Sequence, residues 1–318
     1  MNNTQTQLIV ALAAVVLLAS VPYVAAQGSG IEYQYATGMV SLTTDDIGIR
    51  VSAYNQVPHF HWWNASSPGT DYHVMFLKLF EANDTDDDGA FNPETDRIVG
   101  VPYLLPAGIW DFSGFVTEEE DSVVVEVHFN FTTTETFTPT VPITTTPTIP
   151  AQVPDPFDVT LQIRVHMDVN DPHEMKFDIV ISGWSWTYDD SILVFQFTVT
   201  ESEHGADEGT DGPPEFAQDG NRFEFGEGYL EYAEQAQAGE SVVQVRGVTG
   251  EGTGDEAGES VYLAFAFFGA ETLEYDPIIG ISPTEDGNGH DIDYNQLLLM
   301  AGGVSIIVLV IIIAKMKR

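Results

Sequence analysis

The chain has 318 residues, no cysteine and a formal net charge of −39 at pH 7. The lack of cysteine excludes disulfides, thiol catalysis and Cys-ligated zinc. The acidic balance excludes binding of nucleic acid, because phosphates need Lys and Arg. Such a surface suits cations or a salty medium, and an equally simple interpretation is a hydrated surface that keeps neighbouring molecules apart.

An apolar segment at 8–19 is followed by the small residues Val24, Ala25 and Ala26. This pattern predicts a signal peptide over 1–26. Residues 1–7 carry no Lys or Arg, so an uncleaved anchor is the alternative. In both cases we expect residues 27–293 to be exported.

A second apolar segment, 297–314, contains no charged residue. At helical rise it covers ~27 Å, which is enough to span a bilayer, and we predict a transmembrane helix over 294–314. The alternative is a buried helix of a soluble protein. Lys315, Lys317 and Arg318 follow directly, which predicts a cytoplasmic basic tail at 315–318 and a type I protein of the plasma membrane with an extracellular ectodomain. This layout resembles that of archaeal single-pass cell-surface proteins.

The ectodomain has the residue alternation of β-strands. Apolar residues at Val123, Val125 and Val127 alternate with polar ones, and a similar alternation runs over 159–169. These patterns predict an all-β fold, an antiparallel β-sandwich. Further strands are predicted at 47–54, 72–80, 97–99, 176–181, 192–200, 241–248 and 261–268, whereas 229–238 fits a helix or a strand.

A Thr/Pro-rich segment, 132–156, lies between two of these strands. It has little to bury and is expected to be extended. It is either a linker between two domains or a long loop within one. The flanking strands have similar lengths and one polar face each, as antiparallel partners do, which favours the loop.

An acidic turn at 84–96 places oxygen-bearing groups at alternating positions around Gly89. Ca²⁺ binds six to eight oxygens, and carboxylates bent around a glycine can converge on one ion. The turn resembles the calcium loops of EF-hands and dockerin modules. The alternative is an acidic turn on an acidic surface. The predicted calcium ligands are Asp84, Asp86, Asp88, the carbonyl of Ala90, Asn92, Glu94 and Asp96.

Two features of this turn depart from the EF-hand pattern. Thr95 replaces the bidentate Glu at position 12, so Glu94 or Asp96 would have to turn inward. The flanking segments have strand patterns rather than helical ones. We therefore predict one calcium loop within a β-scaffold, without a regulatory opening of helices.

Histidines form a second pattern. His59 and His61 are two residues apart and share one strand face, and His73 lies in a neighbouring predicted strand. Two ligands on one strand and a third from a neighbour can hold zinc or copper, and the thioether of Met75 would suit Cu(I). The alternative is that these histidines bind nothing. His128 and His166 fall on polar faces that could oppose each other across a sheet.

Aromatic residues and sequons complete the candidates. Trp184 and Trp186 are two residues apart and are predicted to share one strand face. Trp62, Trp63, Trp184 and Trp186 are expected to fill the core, and exposed ones could stack on sugars. Asn64 and Asn130 begin Asn-x-Ser/Thr sequons and are predicted glycosylation sites. The Asn83 sequon is a poorer candidate because it adjoins the acidic turn.

No catalytic motif is present, and in particular no G-x-S-x-G. The sequence favours a membrane-anchored surface protein, stabilised by Ca²⁺, that serves adhesion, envelope structure or ligand binding. Surface glycans and neighbouring envelope proteins are the expected partners, besides the membrane. The alternative is a copper or zinc protein, or a metalloenzyme, that uses the strand histidines.

Overall fold

The structure, a computed structural model, describes residues 30–36, 38–52, 56–137, 156–205, 214, 216–250 and 259–282. These residues form 19 β-strands and one 3-10 turn at Leu105–Ala107. The strands are β1 (Glu32–Ala36), β2 (Met39–Thr43), β3 (Ile47–Ser52), β4 (His59–Asn64), β5 (Thr70–Asn83), β6 (Arg97–Leu104), β7 (Asp111–Glu120), β8 (Val123–Phe137), β9 (Phe157–Asp168), β10 (Glu174–Ser182), β11 (Ile192–Glu203), β12 (Phe216–Asp219), β13 (Arg222–Phe225), β14 (Gly228–Glu231), β15 (Gln235–Ala238), β16 (Ser241–Gly250), β17 (Glu259–Ala266), β18 (Leu273–Tyr275) and β19 (Ile278–Ile281).

The strands pair into two layers, and every pairing is antiparallel. The front sheet has the order β1-β2-β3-β4-β5-β11-β17-β16, and β6 pairs with the second half of β5. The back sheet runs β7-β8-β9-β10, and β10 then pairs with both β18 and β19. From there β19 continues to β14, β13 and β12, whereas β18 continues to β15 and β16. The all-β prediction is therefore confirmed.

Aromatic side chains fill the space between the two sheets. Phe60 of the front sheet lies 6.5 Å from Phe131 and 5.9 Å from Phe177 of the back sheet, measured between ring centroids. Trp62 is fully buried, and its indole N–H donates to the carbonyl of Gly280 at 3.0 Å. Because alternate residues of a strand point to opposite faces, the residues between these core positions lie on the outer faces.

The segment between β8 and β9 joins neighbouring strands of one sheet. The two strands pair from Glu126 opposite Asp168 to Phe137 opposite Phe157. The predicted loop boundary was too early, because residues 132–137 belong to β8, where β-branched Thr suits an extended backbone. The rest of the Thr/Pro-rich segment, 138–155, lies outside the described residues.

Most predicted strands match observed ones to within a few residues. The ambiguous segment 229–238 forms parts of β14 and all of β15. The prediction that Trp184 and Trp186 share a strand face was wrong: both lie in the connection between β10 and β11. In the part of the chain that the structure describes, no helix is long and apolar enough to cross a membrane. The predicted signal peptide (1–26), transmembrane helix (294–314) and basic tail (315–318) lie outside the described residues.

Candidate metal centres

Three histidines come together on the outer face of the front sheet. His59 and His61 alternate along β4 with the buried Phe60, and His73 of β5 lies directly opposite His61. The ring centroids of His61 and His73 are 4.0 Å apart, and those of His59 and His61 are 4.4 Å apart. One nitrogen from each of the three rings lies within 4.8 Å of the others. We call these residues the histidine group.

Burial and nearby positive charge keep the imidazole of His61 neutral. His73 is only 3% exposed. Desolvation, followed by the charges that His73, His59 and Arg50 would present, lowers the pKa of His61 to about 3. The His61 imidazole therefore carries no extra proton at pH 7, and its lone pair can serve as a metal ligand.

Neighbouring side chains orient the group. The Ser202 hydroxyl lies 3.1 Å from Nε2 of His73, and such contacts fix the orientation of a ligating ring. Arg50 is paired with His61 across β3 and β4, and its guanidinium sits 5.6 Å from the ring centroid of Trp63. Met75 is the cross-strand partner of His59, and its partly buried side chain packs against the main core.

The acidic turn 84–96 connects β5 to β6, so its strand-like flanks are as predicted. Carboxylate oxygens of Asp84, Asp86 and Asp96 lie within 4.8 Å of one another. Asp96 is the residue that turns inward: it accepts hydrogen bonds from the backbone N–H of Thr85 at 2.9 Å and of Asn92 at 2.8 Å. The loop around the three carboxylates is closed by strands β5 and β6 and by these two hydrogen bonds to Asp96.

The other predicted calcium ligands take different roles in this conformation. The Asp88 carboxylate accepts the N–H of Ala90 at 2.8 Å, and the Asn92 side chain accepts the N–H of Glu94 at 3.0 Å. Glu94 itself is exposed. The structure therefore groups the carboxylates of Asp84, Asp86 and Asp96, and this group does not include those of Asp88 or Glu94.

The turn has a left-handed backbone conformation and a high local negative charge. Asp87 and Gly89 have φ values of 59° and 79°, so the chain bends through the left-handed region as the glycine predicted. Desolvation and the carboxylates of Asp88 and then Asp84 raise the pKa of Asp86. Excess negative charge is thus concentrated at the place where a cation would relieve it.

Phe91 attaches the turn to the outer face of the front sheet. It is 1% exposed, and its ring centroid lies 5.1 Å from those of both Phe80 and Tyr262. These residues belong to a small hydrophobic cluster, separate from the main core, that also includes Ala82, Ile192, Val194 and Ala264. The acidic turn is therefore anchored by an apolar side chain as well as by hydrogen bonds.

A third group was only partly visible in the sequence. His128 and His166 lie opposite each other on β8 and β9, as their alternation indicated, and their rings stack at 4.3 Å. Glu126 joins them. Its position two residues before His128, on the same strand face, is the signal that could have identified it.

The predicted glycosylation sites differ in their surroundings. Asn64 is 5% exposed, its amide donates to Glu227 at 3.1 Å, and its oxygen accepts the N–H of Ser66 at 3.1 Å. A glycan would require this side chain to leave its present site. Asn130 is half-buried on the outer face of β8. Glycosylation at either residue stays a prediction.

Two of the predicted core tryptophans are buried, namely Trp62 and Trp184. Trp186 is half-buried, donates to the carbonyl of Gly269 at 2.8 Å and packs against Phe267, whose side chain is 42% exposed. These aromatics line a shallow open cleft. No contact in the described residues identifies what this cleft would bind. Comparison with protein-family models and with curated proteins found no match to this sequence.

Proposed function

We propose that this protein is an exported, membrane-anchored β-sandwich that binds one copper ion through His59, His61 and His73. The convergence of three imidazoles from two paired strands carries the proposal. Three histidines from a rigid scaffold, with further positions open to other ligands, are an established way of binding copper or zinc.

The surroundings favour copper over zinc. No carboxylate belongs to the group, and the nearest additional donor in the strand register is the thioether of Met75. Soft thioether ligands select Cu(I), and imidazoles serve both Cu(I) and Cu(II). The guanidinium of Arg50, opposite His61, adds positive charge that would attract an anion to complete the coordination of the ion.

The exported location rests on the sequence. The apolar segment 297–314, followed by Lys315, Lys317 and Arg318, would place the preceding residues outside the membrane. The absence of cysteine suits an oxidising compartment, because no thiol is exposed to copper-catalysed oxidation. A surface protein of this kind would meet copper before the metal enters the cell.

Metal analysis of the full chain, purified in detergent and supplied with limiting copper, tests the proposal. We expect one equivalent of copper that is lost in both His61→Gln and His73→Gln. His173→Gln is the matched control, because His173 belongs to none of the three groups. Equal copper content in parent and His61→Gln protein would refute the proposal.

A second candidate function is a calcium-stabilised scaffold for adhesion, envelope structure or ligand binding. The observation that favours it is the inward position of Asp96, which supplies the carboxylate that the loop lacks at position 12. Glycans and neighbouring envelope proteins are the partners that such a scaffold would meet at the cell surface. Copper and calcium binding are compatible, because the two sites share no residue.

A further inference from the structure

Glu126, His128 and His166 lie on the outer face of the back sheet, away from the histidine group. Glu126 and His128 alternate along β8 with the buried Val127 and Phe129, and His166 is the cross-strand partner of His128 on β9. Both strands are held in register from 126 to 137 and from 157 to 168. The relative positions of the three side chains are therefore set by the sheet.

The three side chains direct their polar atoms to one point. Oε1 of Glu126 lies 2.6 Å from Nε2 of His128 and 2.8 Å from Nε2 of His166. The two imidazole rings are nearly parallel, with an interplanar angle of 10°. One carboxylate oxygen and two Nε2 atoms thus converge between β8 and β9.

The contact between His166 and Glu126 is short but is not a well-aligned hydrogen bond. Nε2 of His166 is buried and has no hydrogen-bond partner in the part of the chain that the structure describes. An N–H on this atom would therefore not point at the carboxylate oxygen of Glu126. A cation bound between the carboxylate and the two rings would satisfy this nitrogen and the negative charge of Glu126 together.

Charged residues of both signs lie around the group. Asp168 is the cross-strand partner of Glu126, and Lys176 of β10 is the partner of His166 on its other side. Desolvation and then the charge of His128 lower the pKa of His166. Lys176 opposes a cation, whereas Asp168 and Glu126 attract one.

We propose that Glu126, His128 and His166 form a second metal site, selective for zinc. Two imidazoles and one carboxylate are borderline and hard ligands, without the thioether that favours copper at the histidine group. They match the ligand set of open zinc sites, in which a water molecule takes the fourth position. The partial exposure of His128 and His166 leaves that position accessible to water. This site is independent of the proposed copper site and shares no residue with it.

The experiment measures zinc stoichiometry by calorimetry on the full chain in detergent, with excess calcium present to occupy the acidic surface. The background variant is His59→Gln/His61→Gln/His73→Gln, which removes the first site. We expect this variant to bind one equivalent of Zn²⁺, and expect His128→Gln or His166→Gln, added to it, to abolish that equivalent. His173→Gln, added to the same background, should leave the equivalent unchanged.

Co²⁺ provides a second measurement on the same proteins. Its visible absorption should report a site of low coordination number in the background variant and should disappear with His166→Gln.

If zinc stoichiometry is the same with and without His166, the three residues only share a proton and the proposal is wrong. Melting curves of each variant show whether the variants fold, and Glu126→Gln provides a milder change that retains shape and hydrogen bonding. With Glu126→Gln, zinc affinity should fall at least tenfold, and an unchanged affinity would also overturn the proposal.

Discussion

The acidic turn and the histidine group lie on the outer face of the same sheet, but their ligands are positioned in different ways. In the turn, 13 consecutive residues from Asp84 to Asp96 supply the carboxylates, and backbone N–H groups hold them. In the histidine group, two strands supply the ligands, and the pairing of His61 with His73 holds them. A site formed by a turn can reorganise when its ion leaves, whereas a site formed by paired strands keeps its geometry.

The largest expected effect concerns the anchor of the turn. Phe91→Ala should lower the free energy of unfolding by about 3–5 kcal/mol, because it removes a buried aromatic ring and leaves a cavity. It should also weaken calcium binding without changing copper stoichiometry. Denaturant unfolding and metal titrations of the same protein measure these quantities.

Phe267→Ala is the control for this change, because Phe267 is a partly exposed aromatic outside the cluster around Phe91. Phe267→Ala should lower the free energy of unfolding by clearly less than Phe91→Ala does. If Phe91→Ala weakened copper binding as strongly as calcium binding, the two sites would not be independent.

Calcium itself should have the next largest effect. An ion that binds the folded state alone, at about 100 times its Kd, adds about 2.7 kcal/mol of stability. Removing calcium with a chelator should therefore lower the melting temperature of the parent, and Mg²⁺ should substitute poorly because it demands a tighter octahedron.

The variant Asp86→Ala/Asp88→Ala should melt at the same temperature with calcium and with chelator. Asp219→Asn, at an exposed position on β12, serves as the control and should respond as the parent does. An identical melting temperature of the parent in calcium and in chelator would show that the loop is only an acidic turn.

A pair of carboxyl groups on the back sheet responds to protons instead of metal. Desolvation, the charge of Asp276 and a hydrogen bond to it raise the pKa of Asp178 from 3.8 to about 7, although Arg164 and Lys176 act in the opposite direction. Between pH 4 and 7 the folded protein keeps a proton that the unfolded chain releases, so this group lowers stability as pH rises.

Asp178→Asn removes this dependence. The variant should gain stability relative to the parent as pH rises from about 4 to about 7, and the gain should level off above pH 7. Chemical unfolding of both proteins across this range measures the difference. A constant difference over the whole range would contradict the assignment of the raised pKa to Asp178.

The smallest expected effect is on the metal-free histidine group. His61→Gln should change the stability of the copper-free protein by no more than about 1 kcal/mol, because strand pairing rather than the ring holds the backbone. The stabilisation that copper gives to the parent should be absent in the variant. Melting curves with and without copper show both results, and a large loss of stability in the copper-free variant would mean that the ring has a packing role.

Sequence patterns predicted the turn better than the strand-built groups. Gly89 and alternating aspartates are local signals, and the structure groups two of those aspartates, Asp84 and Asp86, with Asp96. The inward position of Asp96 depends on hydrogen bonds to backbone N–H groups, which no pattern encodes. The positions of His73 and His166 next to their partner histidines depend on the strand register, which arises from long-range pairing. Alternation placed His128 and His166 on polar faces, but it did not single out Glu126, because acidic residues are common throughout this chain.

The long strands were predictable because their buried faces alternate over many residues. The short strands β12, β13, β18 and β19 were not, since three or four residues give too little alternation to distinguish them from turns. Trp184 and Trp186 are two residues apart and suggested a strand face. They instead occupy a connection in which the buried Trp184 ring packs against Phe137 and Phe157.

Strand β16 takes part in both layers. Residues 241–244 pair with β15 of the back sheet, and residues 245–250 pair with β17 of the front sheet. In a chain without disulfides, this continuous backbone is a permanent tether between the sheets. Pulling the layers apart would load the hydrogen bonds of one strand in both sheets at once, so mechanical or thermal rupture should propagate through the whole β region as a single cooperative event.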